Sequence, residues 1–316
     1  MTTGLGVRSA QGWSAGRTED RVAARGSEAV ALSRLFSSAV FQEMATKGRS
    51  ARFKRLLDET SVVPRCADGA TVGDAFEQAF SILKTAGLRD EYIYRAALTD
   101  KILRKKHSLR TATMLNEFRA GTSKADLVIL NGTSTVYEIK SERDTLARLV
   151  RQIEDYKRVF ASVNVVVSEK HVEAVQSVLP EDVGIMCLSN RYHISTRRDA
   201  VDCPERICPM TIFESLRSAE AATVLQRLGI PVPDVPNTQR HGAMRRLFAN
   251  LEPAALHSEL IRTLKRTRDL APLSELLNRL PPSLEAAALS IPLRRADHGR
   301  LVRAVETPLV AALAWA

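Results

Sequence analysis

The chain is 316 residues long, 45% apolar and 26% charged, proportions ordinary for a soluble globular protein of one large domain or two to three small ones. Its 46 lysines and arginines against 36 aspartates and glutamates leave a net charge of +10. That excess favours a polyanionic partner, nucleic acid above all; the plain alternative is a basic surface with no specific partner. No apolar run approaches the roughly 18 residues of a membrane helix, so a membrane partner is excluded. The cysteines Cys66, Cys187, Cys203 and Cys208 are too few for a disulfide framework, and a reducing cytoplasm is the simplest compartment.

Residues 1–28, rich in Gly, Ser and Arg, read as a disordered tail with no secretory signal. From Ala29 to about Glu59 apolar residues recur at helical spacing: Leu32, Leu35, Phe36, Val40 and Phe41, then Phe53, Leu56 and Leu57. Thr71–Ala86 forms another expected helix, and Asp90 opens one that runs to about Lys106. The pattern then changes. Thr111–Arg119 reads as a strand, Ala125–Leu130 and Ser134–Lys140 as a hairpin, and 144–160 as an amphipathic helix. That helix is expected to bury Leu146, Leu149, Val150, Ile153 and Phe160, with Ser141 or Asp144 as its cap. Val163–Ser168 is a continuous apolar strand, which implies burial on both faces. Lys170–Leu179 is helical, and Gly184–Leu188 and Tyr192–Ser195 are short strands. Beyond Pro209 the chain is helical again. The expected fold class is α/β (α+β), a mixed central sheet flanked by helices. It divides into a helical N-terminal region at 29–89, a core at 90–200 and a helical C-terminal region at 201–316.

The most informative segment is Lys124-Ala125-Asp126-Leu127-Val128-Ile129-Leu130-Asn131-Gly132-Thr133-Ser134-Thr135-Val136-Tyr137-Glu138-Ile139-Lys140. Asn131-Gly132 between two apolar runs is a strong hairpin signal. With the turn centred on Gly132, Asp126 lies opposite Glu138, with Cβ atoms roughly 5 Å apart. Lys140, two residues beyond Glu138, shares its face. Two facing carboxylates destabilise a sheet unless a cation lies between them, and Mg²⁺ takes hard oxygen ligands.

An Asp in one strand, Glu-x-Lys in the next and an amphipathic helix after them resemble the PD-(D/E)XK nuclease superfamily. Ala125 stands where the superfamily often has proline. Residues from Asp90 to about Ser168, and the flanking Leu35–Leu57, resemble a bacterial group of largely uncharacterised proteins within that superfamily. The resemblance implies a restriction-endonuclease-like core and a metal-dependent endo- or exonuclease that hydrolyses phosphodiester bonds, in DNA ahead of RNA, with RNA left open as the other substrate. Such an enzyme suits defence, mobile-element biology or repair. It implies that Asp126, Glu138 and the main-chain carbonyl of Ile139 hold Mg²⁺ or Mn²⁺, and that Lys140 positions the attacking water or stabilises charge on the phosphorus centre. Gln152 and Tyr156 resemble the Gln-x-x-x-Tyr motif of RecB-like nucleases; their spacing puts them on one helix face.

Glu117, nine residues before Asp126, is a further candidate carboxylate, with an exposed strand-end glutamate as its ordinary reading. Glu91 begins the helix where the superfamily often places a metal-site glutamate; acidic residues also stabilise helix N-termini on their own. Arg119, Lys124, Arg148 and Arg151 are candidate phosphate contacts, with Arg143 and Lys157 adding charge nearby. Cys187, His193, Cys203 and Cys208 have zinc-type donors but no zinc-knuckle spacing. No phosphate-binding Gly-x₄-Gly-Lys loop is present. The other expectation for the same residues is a nuclease-fold module that binds nucleic acid or protein without cutting. Self-association and protein partners stay open.

Overall fold

The computed structural model describes residues 26–85 and 87–316. Most of the expected N-terminal tail, and Ala86, lie outside the described residues. Gly26, Ser27 and Glu28 do not continue that tail: they open a helix, α1, at residues 26–35. The Glu28 carboxylate accepts hydrogen bonds from the Ser61 amide at 2.8 Å and its hydroxyl at 2.5 Å, which ties α1 down.

Helices α2 (Ser38–Lys47), α3 (Ala51–Asp58) and α4 (Val72–Leu83) follow. Thr71 caps α4 rather than entering it, in a reciprocal capping box with Asp74. Next comes α5 (Glu91–Leu98), which continues as a π-helical segment, Thr99–Arg104. Asp90 caps it by accepting from the Ile93 amide at 3.2 Å.

A six-stranded mixed sheet then forms in simple chain order: β1 (Thr113–Ala120), β2 (Ser123–Asn131), β3 (Thr133–Lys140), β4 (Ser162–Ser168), β5 (Gly184–Leu188) and β6 (Ile194–Arg198). Turns join β1 to β2 and β2 to β3, so these pairs are antiparallel. The connections β3–β4 and β4–β5 carry helices α6 (Leu149–Lys157) and α7 (Val172–Val178), so those pairs are parallel. All residues of β4 are buried, Val163, Val165, Val166 and Val167 together with the polar Ser162, Asn164 and Ser168. The β2–β3 turn pairs Asn131 with Thr133 and leaves Gly132 at φ 75°, the left-handed region glycine tolerates.

The remaining helices are α8 (Pro209–Ser215), α9 (Ser218–Arg227), α10 (Asn237–Phe248), α11 (Pro253–Thr267), α12 (Ser274–Leu277), α13 (Glu285–Ser290), α14 (Arg295–Glu306) and α15 (Leu309–Ala312). They split between the two faces of the sheet. One core unites Val128, Val136 and Val165 with Leu149, Ile153 and Tyr156 of α6 and with α8–α11. The other unites Leu127, Ile129 and Val166 with α1–α5 and α12–α15. Helices before the sheet and helices at the end of the chain thus pack into one core. The Val72 amide donates to the Thr307 carbonyl at 2.9 Å, and the Leu309 amide to that of Ala70 at 2.8 Å.

Two expectations around α6 are corrected. The helix starts at Leu149, not 144, because Ser141 and Asp144 satisfy each other: the Asp144 carboxylate accepts from the Ser141 amide at 2.7 Å and hydroxyl at 2.6 Å. Val150 is 46% exposed, because Leu149, Ile153 and Tyr156 set the buried face. Among the described residues no helix is long and apolar enough to cross a membrane.

Candidate active site

The site lies where the sheet forks. Pairing between β2 and β3 ends at Leu127 and Tyr137, while β2 stays with β1 to Ser123 and β3 stays with β4 to Lys140. In the fork the Ile139 amide has lost its strand partner. The Asp126 carboxylate takes its place and accepts that N–H at 2.8 Å. A buried amide needs such a partner. The Ile139 carbonyl lies on the same edge of β3 as its N–H, as in any strand, and so faces the fork.

Glu117 stands across from Asp126 on the other side, bracketed by the pairs Asn116–Leu127 and Phe118–Ala125. Here both strands skip a step of their alternation. Leu115 and Phe118, three residues apart, share one core, and so do Ala125 and Val128. Glu117 absorbs the irregularity with φ 51°, a left-handed conformation that costs a non-glycine residue about 1–3 kcal/mol. Glu91, the first residue of α5, reaches the same place. Oxygens of Glu91, Glu117 and Asp126 lie within 4.8 Å of one another, which makes them the carboxylate cluster able to hold a metal among the described residues. The set is all oxygen, as Mg²⁺ or Mn²⁺ prefers. Arg95 pairs with Glu91 one turn along, and Lys124 Nζ lies 4.0 Å from Glu117.

Burial and the neighbouring Glu138 push the Asp126 carboxyl up to about 8, with Glu91 adding to the rise and the Ile139 amide and Lys140 opposing it. The folded, metal-free protein thus favours a proton on Asp126 at neutral pH.

Beside this cluster is a closed ring of hydrogen bonds. The fully buried Glu138 accepts from Lys140 Nζ at 2.7 Å through one oxygen and from the Tyr156 hydroxyl at 2.7 Å through the other. Lys140 Nζ also donates to Gln152 Oε1 at 3.0 Å, and Gln152 Nε2 approaches the Tyr156 hydroxyl at 3.5 Å. The Tyr156 hydroxyl also lies 2.8 Å from the Lys124 carbonyl. Its burial and the Glu138 charge push its pKa up, so it remains a proton donor. Glu138 is therefore a member of the ring, whereas Glu91 and Glu117 accompany Asp126.

The turn between β1 and β2 carries the basic rim. Asp155 of α6 accepts from the Thr122 amide and hydroxyl at 3.1 and 2.8 Å and from the Ser123 hydroxyl at 2.8 Å. Arg151 donates to the Thr122 hydroxyl at 3.3 Å, Arg119 to the Gly121 carbonyl at 3.4 Å, and Lys124 is exposed beside them. Arg148 is exposed at the start of α6. Arg143 and Lys157 are engaged elsewhere, with the Leu88 carbonyl and with Asp182. Asp155 was not singled out in the sequence; the only local sign was Gly121-Thr122-Ser123, a turn with hydroxyls that seek an acceptor. Gly121 has φ 59°, and a Cβ there would lie 2.7 Å from Asp155 Oδ1. Gly121→Ala is expected to cost about 1–3 kcal/mol by denaturant unfolding, from backbone strain and displacement of Asp155. Asp155→Ala should lose a similar amount, and the double variant less than the sum.

Cys187, His193, Cys203 and Cys208 form no metal-type cluster among the described residues.

Comparison with known proteins adds three findings. A solved structure, the SPO1766 protein of unknown function from Silicibacter pomeroyi, overlaps 38% of this chain and 80% of its own at 20% identity, but with a TM-score of 0.26. That likeness carries no argument. Protein cII of Enterobacteria phage P4 is 37% identical over 86 residues, 27% of this chain and 33% of that protein. The alignment thus spans about a third of that relative's length. Residues 84–274, which include all six strands and every candidate residue above, match the family described as Bacteriophage P4 protein cII. With more than half its length matched, the chain belongs to that family.

Proposed function

We propose that this protein is a metal-dependent nuclease of the PD-(D/E)XK type that hydrolyses phosphodiester bonds in DNA. The observation that carries the reading is the sheet fork. There Asp126, Glu117 and Glu91 converge on one point, and the Glu138–Lys140–Gln152–Tyr156 ring closes beside it. Like-charged carboxylates drawn together at the cost of a strained backbone make sense as a cation site.

Asp126, Glu117 and Glu91 would hold Mg²⁺ or Mn²⁺, with the Ile139 carbonyl facing the same fork. A cation bound there polarises a phosphoryl oxygen and lowers the pKa of a bound water. The chain's own residues supply the rest. Glu138 and Gln152 fix the Lys140 ammonium at 2.7 and 3.0 Å, so that its charge is aimed before substrate arrives. A preorganised cation of this kind stabilises negative charge that develops on the phosphorus centre. Tyr156 holds Glu138 in place and thereby the ammonium. Arg119, Lys124, Arg148 and Arg151 form a rim suited to backbone phosphates, which position a strand without reading its sequence.

The test is direct. Purified protein with Mg²⁺ or Mn²⁺ should cleave double- or single-stranded DNA, and EDTA should stop it. Lys140→Ala should lower the rate by roughly 10²–10³-fold, the loss typical of removing one charge-stabilising donor, with circular dichroism unchanged. Binding of DNA with no cleavage under any metal would point instead to a nuclease-fold binding module. Preferential cleavage of RNA would reassign the substrate.

A further inference from the structure

A second feature of the surface is a groove of about 730 Å³ at the far end of the β2–β3 hairpin, flanking Gly132. It is lined by Arg110, Arg262, Lys265 and Arg266, against one acid, Asp269. We propose that this groove binds the sugar–phosphate backbone of a nucleic acid, as an anchor separate from the acidic cluster; the proposal rests on the nucleic-acid reading above.

The cations come from two distant parts of the chain, the segment before β1 and helix α11, which the hairpin turn brings together. The side chains of Arg110 and Arg266 are exposed and make no hydrogen bond or ion pair among the described residues. Lys265 Nζ gives one hydrogen to the Thr111 carbonyl at 2.5 Å and keeps the others. Arg262 is partly engaged, donating to Glu259 at 2.6 Å. The acid is occupied too: Asp269 accepts from the Ala271 amide at 2.9 Å. Nearby, His107 Nδ1 lies 2.6 Å from the Asn131 amide nitrogen, which brings exposed Lys106 to the same turn. Free guanidinium groups of this kind favour phosphate, which they grip through paired N–H donors.

The spacing favours a polymer over a small anion. Arg262, Lys265 and Arg266 stand at i, i+3 and i+4 on one helix face and span about 6 Å. That covers two phosphates of one strand at about 3.4 Å of axial rise each. The groove and α6 lie on the same side of the sheet, since α6 and α11 share one core. Six residue steps along the strand separate Asp126 from Gly132, about 20 Å at 3.4 Å per step. A duplex gripped at both points would have about six base pairs between them.

The experiment measures anisotropy of a labelled 24-base-pair DNA duplex in EDTA, across a salt series, for parent and Arg110→Gln/Arg266→Gln. Loss of two phosphate contacts should weaken binding about tenfold or more and flatten the log–log salt slope by about 2. Where cleavage is measurable, KM should rise with kcat unchanged. Should the double variant lose its fold by circular dichroism, Arg266→Gln alone serves, with a slope change of about 1. Equal affinity and slope in parent and variant would overturn the groove and leave the nuclease reading intact. A parent that binds neither DNA nor RNA would overturn both. Polyglutamate that competes as well as DNA at equal charge would overturn backbone recognition. The slope decides the groove whether or not the parent cleaves.

Discussion

Asp126→Asn is expected to lose at least roughly 10³-fold in metal-dependent cleavage, about 4 kcal/mol of transition-state stabilisation, and yet to melt at a higher temperature than the parent in alkaline EDTA. The two effects share one cause. The Asp126 carboxyl sits at about 8 in the folded protein against an ordinary 3.8, chiefly from burial and the nearby Glu138. Between those values the folded chain holds a proton that the unfolded chain has released. Stability of the metal-free protein therefore declines as pH rises from about 4 to 8 and levels off above. Asparagine imitates the protonated acid and still accepts from the Ile139 amide, so it escapes that decline. Melting curves from pH 4 to pH 9 should show near equality at the acid end and a widening advantage for the variant through pH 8. Mg²⁺ should raise the parent's melting temperature at pH 8 and leave the variant's unchanged. A gap that does not depend on pH would mean that Asp126 is an ordinary solvated carboxylate.

Arg89→Ala is expected to be among the most damaging single changes, at about 3–5 kcal/mol. Arg89 is fully buried yet has no carboxylate partner among the described residues. Its guanidinium donates to the carbonyls of Lys84, Ser189 and Asn190, each at 2.8 Å, with that of Leu188 at 3.5 Å. It thus pins the segment before α5 to the β5–β6 turn, two residues ahead of Glu91. Truncation leaves several buried carbonyls unpaired and a cavity besides. Lysine recovers little, because a single ammonium cannot reach acceptors spread around a planar fork. Denaturant titration of both variants checks this; a loss under about 1 kcal/mol would show that water replaces the guanidinium.

The hairpin and its turn were legible because they depend on local chemistry. Asn131-Gly132 encodes the left-handed turn, and the apolar runs on either side set the β2–β3 register. The pairing of Gln152 with Tyr156 followed from helical spacing. Unbroken alternation along both strands would make Glu138 a facing ligand of Asp126. The alternation breaks: the slip at Glu117 and Asp126 and the end of pairing at Leu127 and Tyr137 redirect the carboxylates. Glu117 and Glu91 were visible as residues, but nothing local says that an exposed strand-end acid and a helix N-terminal acid meet.

What the sequence determined by itself, then, is the order of elements, the mixed α/β class and the burial of β4 on both faces. These follow from periodicity, turn residues and side-chain type, all read within a few residues. Tertiary structure decided the rest: which acids share a point, that Lys140 and Tyr156 both bind Glu138, that Asp155 holds the β1–β2 turn, and that the terminal helices meet across one face of the sheet. Each of these depends on a strand fork, a skipped alternation or a contact between segments far apart in the chain. Such features arise when neighbouring strands and helices compete for the same backbone groups and the same buried space, and no short window of residues contains that competition.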